Sequence, residues 1–167
     1  MSLKVVSFQF NGFQENTYLV VSPSKNCVII DPGCYESHEE KTLFEYIEVN
    51  DLRPLALLNT HAHIDHILGN AAVKEKFNIP FYLHKDDLQT LLSVKNYATV
   101  YGFQGYKASP EPDFFLEGNS TISFEDISFK VLFTPGHAPG HVVFYNETNQ
   151  FVINGDVLFN GSFGRVD

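Results

Sequence analysis

The chain has little positive charge. Eleven Lys and Arg stand against twenty Asp and Glu in 167 residues, a formal net charge of −9. Non-specific nucleic-acid binding depends on Lys and Arg neutralising phosphates, so no nucleic-acid partner is expected. No apolar run approaches the roughly 20 residues that cross a bilayer, so no membrane partner is expected either. Met1–Val5 enters a strand pattern at once, without a charged stretch leading into an apolar one. That reads as the absence of a signal peptide and points to the cytoplasm. Cysteine is scarce: Cys27 lies in an apolar strand pattern and Cys34 follows the turn Asp31-Pro32-Gly33. In a cytoplasmic chain both are expected to stay unpaired, Cys27 as a small core residue and Cys34 as a turn position rather than a metal ligand. A Gly-x-Ser-x-Gly motif is missing, which disfavours an acyl-enzyme on serine. Internal repeats, low-complexity tracts and linkers are missing too. With 44% hydrophobic and 19% charged residues, the chain reads as one globular domain over 1–167, large enough for a substantial core.

Short strands are expected at Leu3–Phe10, Thr17–Val21 and Cys27–Asp31, separated by Asn/Gly and Pro/Ser turns. Ser37 with Glu40 matches a capping box, and Leu43, Phe44 and Ile47 continue an apolar helical face to about Asn50. Pro54–Asn59 is continuously apolar until its last residue, like a strand buried on both faces. A helix over His66–Phe77, a strand over Phe81–His84 and a helix over Lys85–Val94 follow. Strand patterns return at Ile122–Phe124, Ile127–Phe133, Val142–Tyr145 and Phe151–Asn154. Lys95–Phe115 lacks clear periodicity and carries Tyr97, Tyr101, Phe103 and Tyr106 among Gly and Pro. It admits two readings, a surface loop whose aromatics tuck against the core and a wall over a functional site.

Chemistry concentrates in Asn59-Thr60-His61-Ala62-His63-Ile64-Asp65-His66. Alternate residues of an extended segment point the same way, so His61 and His63 can converge. A turn into a helix can bring Asp65 and His66 to the same spot or to one beside it. Neutral imidazole and carboxylate oxygen are ligands that Zn²⁺ accepts. The run follows an apolar strand, and layered α/β folds collect ligands at the carboxyl ends of strands. Two further segments end strands in a comparable way. In Thr134-Pro135-Gly136-His137-Ala138-Pro139-Gly140-His141, His137 sits inside a tight turn and is the better ligand candidate. His141 begins the next strand and reads as a supporting or structural residue. Phe151-Val152-Ile153-Asn154-Gly155-Asp156 puts the Asp156 carboxylate at a strand end. Asp31 also ends an apolar strand, either to hydrogen-bond a ligand histidine or to cap a turn. His84 is expected to be structural.

These segments, in this order, resemble the metallo-β-lactamase superfamily, and within it the glyoxalase II-like (hydroxyacylglutathione hydrolase-like) hydrolases. The resemblance runs from Gln14-Glu15-Asn16-Thr17-Tyr18 and Ile30-Asp31-Pro32-Gly33 through Thr60–His66 to Thr134–His137, Gly155–Phe159 and Ser162–Asp167. It implies an α/β fold, the four-layered αβ/βα sandwich, with a two-metal site between the sheets. It further implies that His61, His63 and His137 hold one metal, that Asp65 and His66 hold a second, and that Asp156 bridges them. Up to two Zn²⁺ are expected, with iron or manganese as alternatives. The implied activity is hydrolysis of a small-molecule thioester by a metal-bound hydroxide that Asp65 orients or deprotonates. Family members continue to a last strand–helix unit carrying one more histidine, and this sequence has no match to it. The domain is therefore expected to be incomplete at its C-terminus, with apolar surface near Val152 and Leu158 that favours self-association. The alternatives are a mononuclear iron persulfide dioxygenase-like enzyme and a catalytically inactive metal-binding domain.

Overall fold

A computed structural model describes residues 2–166. Met1 and Asp167, the two ends of the expected domain, lie outside the described residues, and Asp167 also closes the last motif of the resemblance. Six strands form the larger sheet in sequence order: β1 (Lys4–Phe10), β2 (Glu15–Val21), β3 (Asn26–Ile30), β4 (Arg53–Leu58), β5 (Phe81–His84) and β6 (Phe114–Leu116). The first three are antiparallel, whereas β3 through β6 run parallel. The smaller sheet has the order β10-β9-β8-β7, from β7 (Ser120–Phe124), β8 (Ile127–Phe133), β9 (Val142–Asn146) and β10 (Phe151–Ile153). A hairpin of β11 (Leu158–Phe159) and β12 (Ser162–Phe163) closes the described chain.

Helix α1 (Ser37–Val49) is entered one residue earlier than the expected Ser37/Glu40 box. Glu36 is its N-cap, and the Glu39 carboxylate accepts from the amides of Glu36 at 3.0 Å, Tyr35 at 2.8 Å and Asn11 at 2.6 Å. Three otherwise unmatched donors choose the register. The helix expected over His66–Phe77 is two helices, α2 (Ile64–Ile67) and α3 (Asn70–Phe77). The break comes where the Gly69 amide leaves the helical ladder and donates to Pro32 O at 2.7 Å. Lys85–Val94 likewise divides into a 3₁₀ turn at Lys85–Asp87 and α4 (Leu88–Ser93). In the long loop, β6 is an additional strand, and Ala98–Tyr101 forms a 3₁₀ turn.

The pleat sorts the core into two layers. Leu19, Ile29 and Leu57 face the helices, where Leu43, Ile47, Ile67, Val73 and Leu91 complete one apolar cluster. Their neighbours Val20, Ile30 and Leu58 face the other way and meet Phe129, Val131, Val142 and Phe144 of the smaller sheet. Each central strand is thus buried on both faces, which its continuous apolar sequence requires. Helices, larger sheet and smaller sheet stack in that order. The outward Ser128, Lys130 and Leu132 of β8 are exposed. No helix among the described residues is long and apolar enough to cross a membrane.

Candidate metal centre

One edge of the sheet pair gathers every chemical motif. Because β3, β4 and β5 are parallel, Asp31, Asn59–His66 and Lys85–Asp87 all leave the larger sheet on the same side. The antiparallel smaller sheet brings the end of β8, the start of β9 and the end of β10 to that edge, with His137, His141 and Asp156. The amide of Val142 donates to Thr60 O at 2.8 Å and stitches the two edges together.

His61, His63 and His137 offer ligand atoms within 4.8 Å of one another. His61 is fully buried. Its Nδ1 lies 3.0 Å from Thr60 Oγ1, while its Nε2 is buried with no hydrogen-bond partner. Burial, followed by the neighbouring imidazoles of His66 and His141, pushes its pKa well below the ordinary histidine value, so the ring is neutral. His137 Nδ1 lies 3.1 Å from the carbonyl of Arg165, which can only accept, so the Nε2 lone pair points inward. That Nε2 is 2.9 Å from His63 Nδ1. Three imidazoles therefore converge, one with an orphaned lone pair in a buried position, and a cation satisfies such a donor set.

Asp65, His66 and Asp156 form a second group within the same 4.8 Å limit. Asp156 Oδ1 lies 3.2 Å from His66 Nε2 and its Oδ2 lies 3.3 Å from His137 Nε2, so its carboxylate faces both groups. Asp65 Oδ2 is 3.7 Å from His66 Nε2. Behind His66, Asp31 Oδ2 stands 3.1 Å from Nδ1. Burial opposes protonation of His66, but its hydrogen bonds to Asp156 and Asp31 and the charges of Asp31 and Glu15 outweigh it. The ring's pKa is held well above the ordinary value. Asp156 is held below its usual range, the effect of burial being outweighed by His66. Asp31, His61 and His66 make a third such group. The Asp31 oxygens are already committed, however, accepting from Thr60 N at 2.7 Å, Thr60 Oγ1 at 2.6 Å and Asn59 Nδ2 at 3.2 Å.

The family model of the metallo-beta-lactamase superfamily matches residues 10–167. The chain belongs to this superfamily. It is 39% identical over 158 residues to the probable metallo-hydrolase YqgX of Bacillus subtilis, covering 92% of this chain and 71% of that one. It is 32% identical over 157 residues to the hydroxyacylglutathione hydrolase GloC of Haemophilus influenzae, covering 93% and 72%. Among solved structures, the BLEG-1 B3 metallo-beta-lactamase superposes with a TM-score of 0.86 at 32% identity, covering 97% of this chain and 76% of that one. TTHA1623 in a di-iron-bound form superposes with a TM-score of 0.82 at 37% identity, covering 98% and 77%.

Around this metallo-beta-lactamase superfamily site, the remaining expected residues take distinct places. His141 stacks on His61 at 4.7 Å between ring centres, and its Nε2 lies 3.3 Å from the Asp156 amide. Burial lowers its pKa to about 4, so the neutral ring can accept that amide. His84 is not among the metal-capable groups and stacks on Phe133 at 4.6 Å. Cys27 and Cys34 are free and buried, and neither joins a metal-capable group.

Four polar residues that support the site were not singled out from the sequence. Asn59 donates to Asp31 and, at 3.0 Å, to His66 O. Thr60 links Asp31 to His61. Glu15 is buried with Oε1 unpartnered, 3.8 Å from His66 Nδ1, and burial raises its pKa well above the usual carboxylate value. Asp87 is fully buried between two of the histidine-bearing loops. Asn59 and Thr60 stand directly before His61 and Glu15 lies inside a segment of the resemblance, whereas Asp87 carried no such signal.

A cleft of about 770 Å³ opens over both groups. Asp65, His66, Asp156, His63 and His137 line its floor, with Phe13, Tyr97, Tyr101, Leu158, Phe159 and Arg165 around them. The two readings of the long loop both hold. Tyr97 and Tyr101 line the cleft, whereas Ala98 and Phe103 are buried in the helix-side core.

Proposed function

We propose that this chain is a metal-dependent hydrolase whose substrate is a small-molecule thioester. The observation that carries the metal reading is the buried, partnerless Nε2 of His61 at the meeting point of His63 and His137. In this reading His61, His63 and His137 hold one metal, Asp65 and His66 hold a second, and Asp156 serves both. Zn²⁺ and iron both suit imidazole and carboxylate ligands. A bound metal pair supplies Lewis acidity, polarising a carbonyl and lowering the pKa of water towards about 7.

The chain's own residues supply the rest. Asp65, partly exposed on the cleft floor, accepts the proton of the attacking water. The new C–O bond forms as the C–S bond breaks, and the sulfur leaves with the electron pair as a thiolate. A thiol with a pKa near 8.5 departs without a dedicated acid, so one carboxylate suffices. Asp31 and Thr60 keep His66 and His61 oriented. The likeness to GloC, a hydroxyacylglutathione hydrolase, supports the thioester. The acidic chain gives no basic path for a nucleic acid, and the proposal includes a cytoplasmic location and a capacity to self-associate. The likeness to BLEG-1, a metallo-beta-lactamase, favours β-lactam hydrolysis as the second reading.

Protein loaded with Zn²⁺ or Fe²⁺ is assayed on S-acyl glutathiones, other thioesters and nitrocefin. Thioester turnover above nitrocefin turnover is expected, with Asp65→Asn losing most of it. Nitrocefin turnover above every thioester tested reverses the assignment, and no metal uptake removes it.

A further inference from the structure

Asp87 has no part in the chemistry above, yet it is fully buried and its carboxylate lies between two of the loops that form the site. It ends the 3₁₀ turn after β5. Its Oδ2 accepts from the amide of Ala62 at 2.7 Å, and its Oδ1 accepts from the amide of Gly140 at 2.8 Å. Ala62 separates His61 from His63, so fixing its amide fixes the peptide plane on which both imidazoles depend. Gly140 follows His137 in the turn of the other sheet. One carboxylate thus sets the distance between the two loops whose histidines approach to 2.9 Å.

The local sequence is fitted to this contact. A Cβ on Gly140 would stand 2.5 Å from Asp87 N and 2.9 Å from Asp87 Cβ, so any other residue would push the His137 loop away from the turn that carries Asp87. Both partners are backbone donors, and a carboxylate accepts on both oxygens.

We infer that Asp87 is a positioning residue, a clamp that holds the His61/His63 loop and the His137 loop at the separation a shared metal needs. The role for metal rests on the proposed function, whereas the clamp itself exists without metal. Asp87→Asn is the informative variant, because it keeps the shape but turns one acceptor into a donor facing an amide. Asp87→Ala removes both acceptors. Asn146→Ala is the control for a merely structural effect. Asn146 is also buried, at the opposite end of β9, where it donates to Ser128 O at 2.8 Å and accepts from Asn149 N at 2.7 Å.

Amide exchange by NMR on the metal-free protein reads the clamp, and competition of Co²⁺ against a chelator, with the Co²⁺ absorption spectrum, reads its consequence. In the wild type the Ala62 and Gly140 amides should be protected. Asp87→Asn should release at least one of them, weaken Co²⁺ binding about 10–100-fold as loss of a supporting residue does, and alter the Co²⁺ spectrum. Asn146→Ala should lower stability and leave the Co²⁺ spectrum unchanged. Wild-type amides that exchange freely, or a folded Asp87→Asn with unchanged affinity and spectrum, overturn the inference. Protected amides that Asp87→Asn releases, in a wild type that takes up no Co²⁺, support the clamp and overturn the metal reading instead.

Discussion

Replacing Asp31 by Asn tests whether a residue that need not touch metal governs how well metal binds. Asp31 sits at φ +50°, in the left-handed region that Asn tolerates as well as Asp, so the exchange adds no backbone strain. Oδ1 can remain an acceptor for Thr60 N and Asn59 Nδ2. The change falls at Oδ2, which faces Thr60 Oγ1 at 2.6 Å and His66 Nδ1 at 3.1 Å. With Asp, His66 keeps its proton on Nδ1, so loss of the other proton leaves the Nε2 lone pair for a metal. With Asn, an amide donor faces Nδ1, and the tautomer that accepts it carries its proton on Nε2, where a metal would bind. A hydrogen bond to a charged group is worth about 1.5–3 kcal/mol. At about 1.4 kcal/mol per tenfold, that becomes a loss of roughly 10–100-fold in affinity at the Asp65/His66/Asp156 group. Asp31 reaches His61 through the Thr60 hydroxyl rather than directly, so the other group should change less. Chelator competition, run to two equivalents of Zn²⁺, separates the two steps. An Asp31→Asn protein that keeps its weaker step within about twofold of wild type would refute the tautomer argument.

Imidazole NMR on the metal-free protein should find His66 titrating above its ordinary value of about 6.5 and His141 near 4. A raised folded pKa means that the stability from His66 is complete below about pH 6.5 and is lost as pH rises through its folded value. His141 has the opposite sign, its stability being lost as pH falls from about 6.5 towards its folded value. A His66 that titrates below 6.5 contradicts the arrangement with Asp31 and Asp156. Gly155→Ala should cost about 2–4 kcal/mol, because φ is +48° and the new Cβ would meet Thr60 Oγ1 at 2.5 Å and His141 Nε2 at 2.8 Å. Urea melts check this as a lower midpoint at unchanged slope, and an unshifted midpoint would show that the Asp156 turn adapts freely.

The parts of this molecule that were legible in the sequence are those whose causes are local. The apolar run before Asn59 is buried because it is a central parallel strand, and its composition says so. His61, His63, Asp65 and His66 are adjacent in sequence, and an extended segment entering α2 brings them together with little help. His137 and Asp156 were readable because each follows an apolar strand. Where the cause lies far along the chain, the sequence offered less. Glu39 displaces the helix start because Asn11, 28 residues away, supplies one of its donors. Gly69 ends α2 for the sake of Pro32. Asp87 looks like any acidic residue near a helix start until the amides of Ala62 and Gly140, 25 and 53 residues away, are seen to need it. Glu15 is an acidic residue, which by type alone reads as exposed, and its buried place beside His66 follows only from the folded sheet.

The two candidate groups draw their ligands from both sheets, His61, His63, Asp65 and His66 from the larger, His137 and Asp156 from the smaller. An ion held there acts as a further rivet through a seam already closed by apolar side chains, the Val142–Thr60 hydrogen bond and the Asp87 carboxylate. Its contribution to resisting denaturation follows mass action, about 2.7 kcal/mol at a hundred times the dissociation constant. If the sheets dock late in folding, that contribution appears almost wholly as slower opening of the seam and scarcely as faster folding. Starving the protein of metal would then shorten the lifetime of the folded chain long before it altered the fraction that folds.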